Sequence, residues 1–532
     1  MAKQDVIIIG GGHNGLVCAC YLAAAGLKVK VLERRPVVGG TAVTEEFHPG
    51  FRNSVAAYTV SLLNPKVIRD LNLERHGLRV LLRPYSNFLP LPGNNYLRTG
   101  STLAETQQQF ARLSARDAER LPAYYTMLDK VADVLKAMIL ETPPNLGGGL
   151  KDLWQGIKVS NRLRHLTMAE RRDVMDLFTK SAGDLLDDWF EHDAIKAVFG
   201  FDSIVGNFAS PYTPGSGYVL LHHVFGEVNG KAGQWGHAIG GMGAITQAMA
   251  AEARARGVDI QLDAAVGRVC TRDGRITGVA LANGDELEAA CVAANVNPKL
   301  LYLDLMEPEQ LDPDFLARMR RYKCGSGTFR MNVALSALPR FTTAPAAEGD
   351  RYLQSGIIIG PSLRYMEQAY FDARSSGWAR QPIVEMLIPS IMDDSLAPPG
   401  RHVASLFCQH FNPELPGGRS WDAVREQVAD LVIDTVNTHA PGFKQSVLGR
   451  MILSPLDLER KFGLIGGDIF HGALSLDQLY SARPVLGHGS YRGPVRGLYM
   501  CGSGTHPGGG VTGAPGHNAA REIISDLRGV RA

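Results

Sequence analysis

The sequence predicts an α/β fold in which three separated parts of the chain build one doubly wound parallel sheet. The first part reads as a strand, a helix and a strand at residues 5–9, 14–25 and 28–33, the unit from which such sheets are assembled. The second part begins at a glycine-rich segment, residues 240–243. The third is a short apolar strand at residues 498–501, which runs into a glycine-rich loop and then a helix.

The second and third parts contain their own local signals. After residue 243 we expect one helix and then three strands, at residues 244–256, 258–262, 266–272 and 289–294. Asp273-Gly274 and Asn283-Gly284 separate these strands and predict hairpin turns, because both dipeptides accept the left-handed backbone of a tight turn. In the third part, the helix after the loop is expected to begin near Val511 and to reach Leu527.

The remaining sequence has a different pattern and predicts a second domain. A chain of 532 residues is too long for one compact core. Residues 101–230 are mostly helical in pattern, whereas residues 301–480 mix apolar strands with helices. We therefore predict a discontinuous cofactor domain formed by residues 1–100, 231–300 and 481–532. A mixed α+β substrate domain would be formed by residues 101–230 and 301–480.

Composition excludes several classes of protein. The 55 lysines and arginines nearly balance the 53 aspartates and glutamates and form no long basic run, so a nucleic-acid partner is not expected. The seven cysteines have no regular spacing and form no C-x-x-C pair, which fits a reducing compartment. Cys18 and Cys20 fall on different sides of the first helix, so we interpret them as packing residues, and the other cysteines are isolated in sequence.

Residues 6–27 contain no charged side chain and are long enough to suggest a membrane span. The glycines of residues 10–15 divide them into a strand, a turn and a helix, and no export signal is recognisable. The expected location is therefore the cytoplasm or a mitochondrial matrix.

The strongest motif is Gly10-Gly11-Gly12-His13-Asn14-Gly15, a G-x-G-x-x-G that follows a strand and opens a helix. Gly10 permits the tight turn, Gly12 lets the backbone approach a pyrophosphate, and Gly15 allows close packing of helix and strand. Glu33 ends the next strand, where a carboxylate accepts hydrogen bonds from ribose hydroxyls. This context predicts a bound dinucleotide. The carboxylate of Glu33 would repel the 2'-phosphate of NADP and so disfavours that cofactor, although the positive charge of the neighbouring Arg34 acts in the opposite direction.

The continuation through Gly39-Gly40-Thr41 resembles the glutathione-reductase-like flavoproteins, in the branch of the amine oxidases and phytoene desaturases. Residues 13–17, 240–243 and 498–511 are similar to motifs of that family, and the similarity extends over essentially the whole chain. The resemblance implies a glutathione-reductase-like Rossmann domain that binds FAD. It implies cofactor contacts at Gly10, Gly12, His13, Asn14, Gly15, Glu33, Arg34, Gly39, Gly40, Thr41, Val266, Gly502, Gly510 and Val511.

The same resemblance implies an FAD-dependent oxidoreductase that removes hydride from a lipophilic small molecule and passes the electrons to an acceptor. A carotenoid ketolase or desaturase, and a flavin-binding regulator without catalysis, remain alternatives. No catalytic residue or metal site is predicted: His222 and His223 are adjacent and point apart, and His506 is as well explained by a role in shaping its loop. The three glycines of residues 508–510 are expected to run against the flavin ring.

Residues 151–172 mix basic and apolar side chains and have two interpretations. A basic amphipathic helix lies on an anionic membrane surface, which would make membrane contact peripheral. A solvated helix on the substrate domain is the alternative, favoured because the apolar face is narrow and Gly156 weakens the helix. The sequence predicts no oligomeric state.

Overall fold

The computed structural model describes residues 3–100, 102–145, 148–224, 226–344 and 349–531. Its strands, in chain order, are β1 (Gln4–Ile9), β2 (Val29–Leu32), β3 (Thr44–His48), β4 (Phe51–Ser54), β5 (Val80–Leu82), β6 (Tyr85–Leu91), β7 (Asn95–Gly100), β8 (Glu227–Val228), β9 (Lys231–Ala232), β10 (Gly236–Ala238), β11 (Asp259–Gln261), β12 (Val266–Arg272), β13 (Arg275–Leu281), β14 (Glu286–Ala294), β15 (Phe329–Leu335), β16 (Gly356–Ile359), β17 (Trp378–Leu387), β18 (His402–Phe411), β19 (Val447–Leu453) and β20 (Leu498–Met500).

The α-helices are α1 (His13–Ala24), α2 (Pro65–Asp70), α3 (Leu103–Ala111), α4 (Ala115–Ile139), α5 (Leu150–Leu163), α6 (Met168–Thr179), α7 (Ala182–Trp189), α8 (Asp193–Ile204), α9 (Ser216–Val224), α10 (Gly243–Ala255), α11 (Pro313–Arg321), α12 (Leu363–Ser376), α13 (Trp421–His439), α14 (Phe443–Ser446), α15 (Pro455–Phe462) and α16 (Ala514–Arg531). In the described part of the chain, none of the helices is both long and apolar enough to cross a membrane.

The first sheet has the strand order β11-β2-β1-β14-β13-β12, and β20 also pairs with β14. The pairings among β11, β2, β1, β14 and β20 are parallel, whereas β12 and β13 form an antiparallel hairpin. Side chains of β1 alternate between two cores: Val6 and Ile8 pack with α1, α10 and α16, while Ile7 and Ile9 pack on the opposite face. This sheet confirms the predicted α/β fold, with all three parts of the chain contributing strands.

The second sheet has the order β19-β15-β18-β17-β16-β6-β7 and is mostly antiparallel. One of its faces packs on α13, and the other packs on a layer of helices that includes α4, α7, α8 and α12. The predicted boundary at residue 100 does not coincide with the division between the sheets. β6 and β7 pair with each other, and β6 pairs with β16, so residues 85–100 belong to the second sheet. The partner strand lies far away in sequence, and local patterns give no sign of it.

Candidate functional site

A cavity runs from the carboxyl ends of β1 and β2 toward the second sheet. The volume of this cavity is about 350 Å³, which is within the range of about 300–1,000 Å³ typical of ligand cavities. Ten of the residues predicted from sequence line this cavity: Gly10, Gly12, His13, Glu33, Arg34, Gly40, Thr41, Val266, Gly510 and Val511. Three separated parts of the chain are therefore brought to one site.

The other predicted residues lie behind the cavity wall. Gly39 donates its N–H to the carbonyl of Gly11 at 2.9 Å. Gly15 has no room for a side chain, because a Cβ there would lie 2.3 Å from the carbonyl oxygen of Gly10. Gly502 is packed against Asn295 in a similar way, and Asn14 donates from Nδ2 to Ser503 Oγ at 3.3 Å. These four residues shape the walls and do not line the space.

The loop between β1 and α1 forms a cradle of backbone. Gly12 is the N-cap of α1 with an extended backbone, and no side chain caps the helix, so its first N–H groups are free for a ligand. A Cβ at Gly12 would lie 2.9 Å from Asn295 Nδ2 and 3.9 Å from the Cα of Gly40. Gly10 has a φ of +96°, which a side chain would strain. The donor set and the absence of side chains fit a pyrophosphate.

The end of β2 provides polar groups beside this cradle. Glu33 is 5% exposed and accepts hydrogen bonds from the N–H of Gly11 at 2.8 Å and from that of Arg35 at 2.9 Å. Within the described residues, Arg35 Nη1 is a buried donor with no hydrogen-bond partner. Arg34 donates to the carbonyl of Arg460 at 3.2 Å and is exposed. An acceptor and an unused donor at a cavity wall fit the ribose and phosphate of a dinucleotide.

The C-terminal glycine run corrects one expectation. Of its three glycines, only Gly510 lines the cavity. A Cβ at Gly509 would lie 2.1 Å from the ring of Phe470, and one at Gly508 would lie 3.1 Å from Leu474, so these two glycines serve packing. The helix that follows begins at Ala514 and not near Val511, because Gly513 has a φ of +74° and cannot be helical.

Side chains from β18, from α9 and from several loops form the far end of the cavity, and sequence reasoning missed them. This end is lined by Tyr58, Leu62, Val205, His223, Trp235, Phe407 and Phe470, among others. No motif marks them, because they are scattered over more than 400 positions of the chain. Asn295 was missed as well, although the turn at residues 295–298 marks the carboxyl end of β14, where ligands of such sheets bind.

Buried histidines surround the C-terminal loop. His13 Nε2 lies 3.2 Å from the carbonyl oxygen of Gly510, and burial lowers the pKa of His13 to about 4. His506 Nε2 lies 3.0 Å from the carbonyl oxygen of Met138, and burial lowers its pKa to about 4 as well. His506 does not line the cavity, so its contact supports the loop. Among the described residues no group of three or more metal-ligating side chains is found.

The cysteines of α1 are buried. Cys20 Sγ donates to the carbonyl of Met249 at 3.7 Å, and burial raises the pKa of Cys20 to about 12. Cys18 contacts Cys501, and burial also raises the pKa of the Cys18 thiol. Cys501, which is isolated in sequence, is brought against α1 by β20.

Comparison with known proteins agrees with this geometry. The family described as flavin containing amine oxidoreductase matches residues 15–329. The rat (Rattus norvegicus) pyridine nucleotide-disulfide oxidoreductase domain-containing protein 2 is 42% identical over 547 residues, covering 99% of this chain and 94% of that protein. A lycopene-forming phytoene desaturase of Pseudescherichia vulneris is 25% identical, covering 99% of this chain and 100% of that protein.

Among solved structures, a triple mutant of putrescine oxidase matches with a TM-score of 0.61 at 17% identity, covering 100% of this chain and 99% of that one. This likeness supports the fold. The matched family, the relatives and the backbone cradle agree on FAD as the cofactor. The chain is an FAD-dependent oxidoreductase and belongs to the flavin-containing amine oxidoreductase family.

Proposed function

We propose that this flavoenzyme dehydrogenates a lipophilic small molecule by transferring hydride from a C–H bond to FAD. The observation that supports this proposal is the apolar far end of the cavity, which is continuous with the cofactor cradle. Leu62, Val205, Trp235, Phe407 and Phe470 contribute to that end. Bound FAD supplies the two-electron acceptor, and the protein supplies binding, orientation and a dry surrounding.

The residues at this end favour an uncharged substrate. Burial lowers the pKa of His223 to about 4, so this side chain is neutral near pH 7. The aromatic and aliphatic side chains exclude water, which would otherwise compete with hydride transfer. A relative, the phytoene desaturase, acts on a hydrocarbon by name, which supports the same class of substrate for this chain. The reduced flavin would then pass its electrons to dioxygen, a quinone or another acceptor.

The test begins with the purified holoenzyme. A solvent extract analysed by mass spectrometry should contain a lipophilic compound, and that compound should bleach the flavin absorbance when it is added back without oxygen. Phytoene in liposomes is the first pure probe, with putrescine as the hydrophilic control. Bleaching by putrescine alone would overturn the proposal. Extraction of a polyene that becomes desaturated or oxygenated would identify a carotenoid enzyme, and a flavin that no donor reduces would identify a regulator.

We also propose that helices α5 and α6 contact an anionic membrane, from which a lipophilic substrate could enter. Leu153, Trp154 and Ile157 on α5 are exposed by 60%, 70% and 43%, and Met168 and Met175 of α6 are exposed by 60% and 62%. Basic side chains lie among them and are exposed as well: Lys158, Arg164, Arg171 and Arg172. Exposed apolar groups beside basic groups match the acyl chains and phosphates of an anionic bilayer.

A further inference from the structure

Tyr58 separates the main cavity from a second, much smaller one. The smaller cavity is lined by six polar side chains, together with apolar residues: Tyr58, Arg83, Ser86, Asn87, Asp202 and Glu385. Its space open to the centre of a water molecule is about 10 Å³, close to the ~10–15 Å³ that one water needs. Polar groups around so small a space suit a single bridging water. Because Tyr58 also lines the main cavity, it faces both spaces.

The hydroxyl of Tyr58 donates a short hydrogen bond to Glu385 Oε2. Glu385 lies within β17, where its neighbours Val384 and Met386 are fully buried, and it is itself only 7% exposed. A carboxylate in an apolar strand is costly unless a partner or a function retains it. Tyr58 is held in place by its ring, whose centroid lies 4.7 Å from that of Phe407.

Two arginines face this pair from other elements. The guanidinium carbon of Arg330 lies 4.9 Å from the centre of the Tyr58 ring. Arg330 itself is held by hydrogen bonds of 3.0 Å to the carbonyl of Leu406 and to Ser405 Oγ. Arg83 lines the small cavity together with Glu385 and donates to Thr59 Oγ1 at 2.7 Å. Both positive charges lower the pKa of Glu385, which counters the effect of burial.

Burial nevertheless raises the pKa of Glu385 overall, although Tyr58, Arg83 and Arg330 oppose the shift. The half-buried Asp202 has its pKa raised to about 8, by burial and by the negative charge of Glu385. Both carboxyl groups line the same small cavity, and burial raises the pKa of each of them. The negative charge of Glu385 also acts on the thiol of Cys408. Burial raises the pKa of this thiol so far that the thiol stays protonated.

We propose that Tyr58 is the residue that accepts the substrate proton and that Glu385 is the positioning residue that receives it from Tyr58. This inference rests on the dehydrogenation proposed above. Removal of hydride to FAD breaks one C–H bond and leaves the substrate short of two electrons. A neighbouring C–H or O–H bond then breaks, its electron pair forms the new double bond, and its proton goes to Tyr58 Oη. Tyr58 passes its own proton to Glu385 Oε2. The substrate loses two electrons, the flavin gains two, and one proton remains on Glu385, from which the small cavity leads it toward Asp202.

The decisive experiment uses the lipophilic donor that the solvent extract supplies, because in the proposed step the proton that reaches Glu385 comes from the substrate. The flavin of the holoenzyme is reduced by that donor without oxygen, and the infrared difference spectrum is recorded for the wild type, Glu385→Gln, Tyr58→Phe and Asp372→Asn, with dithionite, which supplies no substrate proton, as the control reductant. Asp372 is a matched control, because it is a buried carboxylate paired with Arg380 and does not line either cavity. The wild type and Asp372→Asn should gain a protonated-carboxyl band, and Glu385→Gln should lose it. The rate at which the donor reduces the flavin should also depend less steeply on pH in Glu385→Gln.

Identical bands and identical pH dependence in the wild type and Glu385→Gln would overturn the inference. Should Glu385→Gln fail to fold, Tyr58→Phe keeps the ring packed on Phe407 and must weaken the same band. With any donor found for the wild type, both variants should reduce the flavin about 100-fold more slowly. A wild type that no donor reduces would reject the proposed function, whereas a wild type that a donor reduces without a Glu385 band would reject the proton transfer alone.

Discussion

At the end that holds Gly12 and Glu33, the cavity is built around the backbone and the carboxylate of one motif, residues 10–33. At the end that holds Tyr58 and Phe407, it is made of side chains from β18 and from loops and helices that lie far apart in the chain. The cofactor end needs a backbone conformation that few sequences permit, so it is recognisable in the sequence as a motif. The second end requires only suitable side chains at suitable places, and many sequences meet that need. The cofactor end is therefore readable from sequence, whereas the substrate end is not.

The largest effect should come from Gly12→Val, which tests the cofactor end. The new side chain would lie against Asn295 Nδ2, where a Cβ has only 2.9 Å, and would occupy the space of the pyrophosphate. We expect FAD affinity to fall by about 100-fold, or about 3 kcal/mol, measured by titration of the apoprotein. Gly156→Val is the control, since no atom lies within 4 Å of a Cβ at Gly156. A variant that retains stoichiometric FAD would show that the cradle is misplaced.

Gly510→Phe tests the point at which the two ends meet. Gly510 is the one glycine of residues 508–510 that lines the cavity, so a large side chain there should displace the flavin or shift its absorbance and potential. The control Gly487→Phe imposes similar backbone strain, because φ is +99° at Gly510 and +93° at Gly487, but its Cβ meets nothing within 4 Å. A soluble Gly510→Phe protein with an unchanged flavin spectrum and potential would contradict this assignment.

Acid should destabilise the loop that joins the two ends. The folded protein lowers the pKa of His506 from 6.5 to about 4 through burial, so the unfolded chain binds the proton first as pH falls. The resulting stability is complete above pH 6.5 and is lost as the pH falls from 6.5 to about 4. The loss for this residue is about 3 kcal/mol at most.

Urea unfolding between pH 7 and pH 4 measures this slope. In His506→Gln the free energy of unfolding should depend less on pH, although its value at pH 7 should be lower because the contact with Met138 changes. An acid slope equal to that of the wild type would assign the dependence to the other buried histidines.

The smallest effect concerns the membrane contact proposed for α5 and α6. Trp154→Ala should reduce sedimentation with anionic vesicles several-fold, because burial of one large apolar side chain is worth about 1.5–3 kcal/mol and only part of it enters the interface. The control is Phe371→Ala on α12, since Phe371 is 54% exposed on another element. Added salt should release the wild type. Equal sedimentation with neutral and anionic vesicles would contradict an electrostatic contact.

The sequence by itself determined the α/β fold, the three parts of the first sheet and the cofactor. Gly10, Gly12 and Gly15 are required by backbone geometry, and strands such as β1 are apolar because both of their faces are buried. These constraints act within short segments, so they are visible as local patterns.

Only the tertiary structure decided the rest. It placed β6 and β7 in the second sheet, set Gly508 and Gly509 against packing partners, and joined Tyr58 to Glu385 across more than 300 residues. In each case the deciding contact links positions that are far apart in the chain. A hydrogen bond between strands or a packing contact between side chains does not require a particular residue type at one position. For that reason no local sequence pattern predicts these contacts.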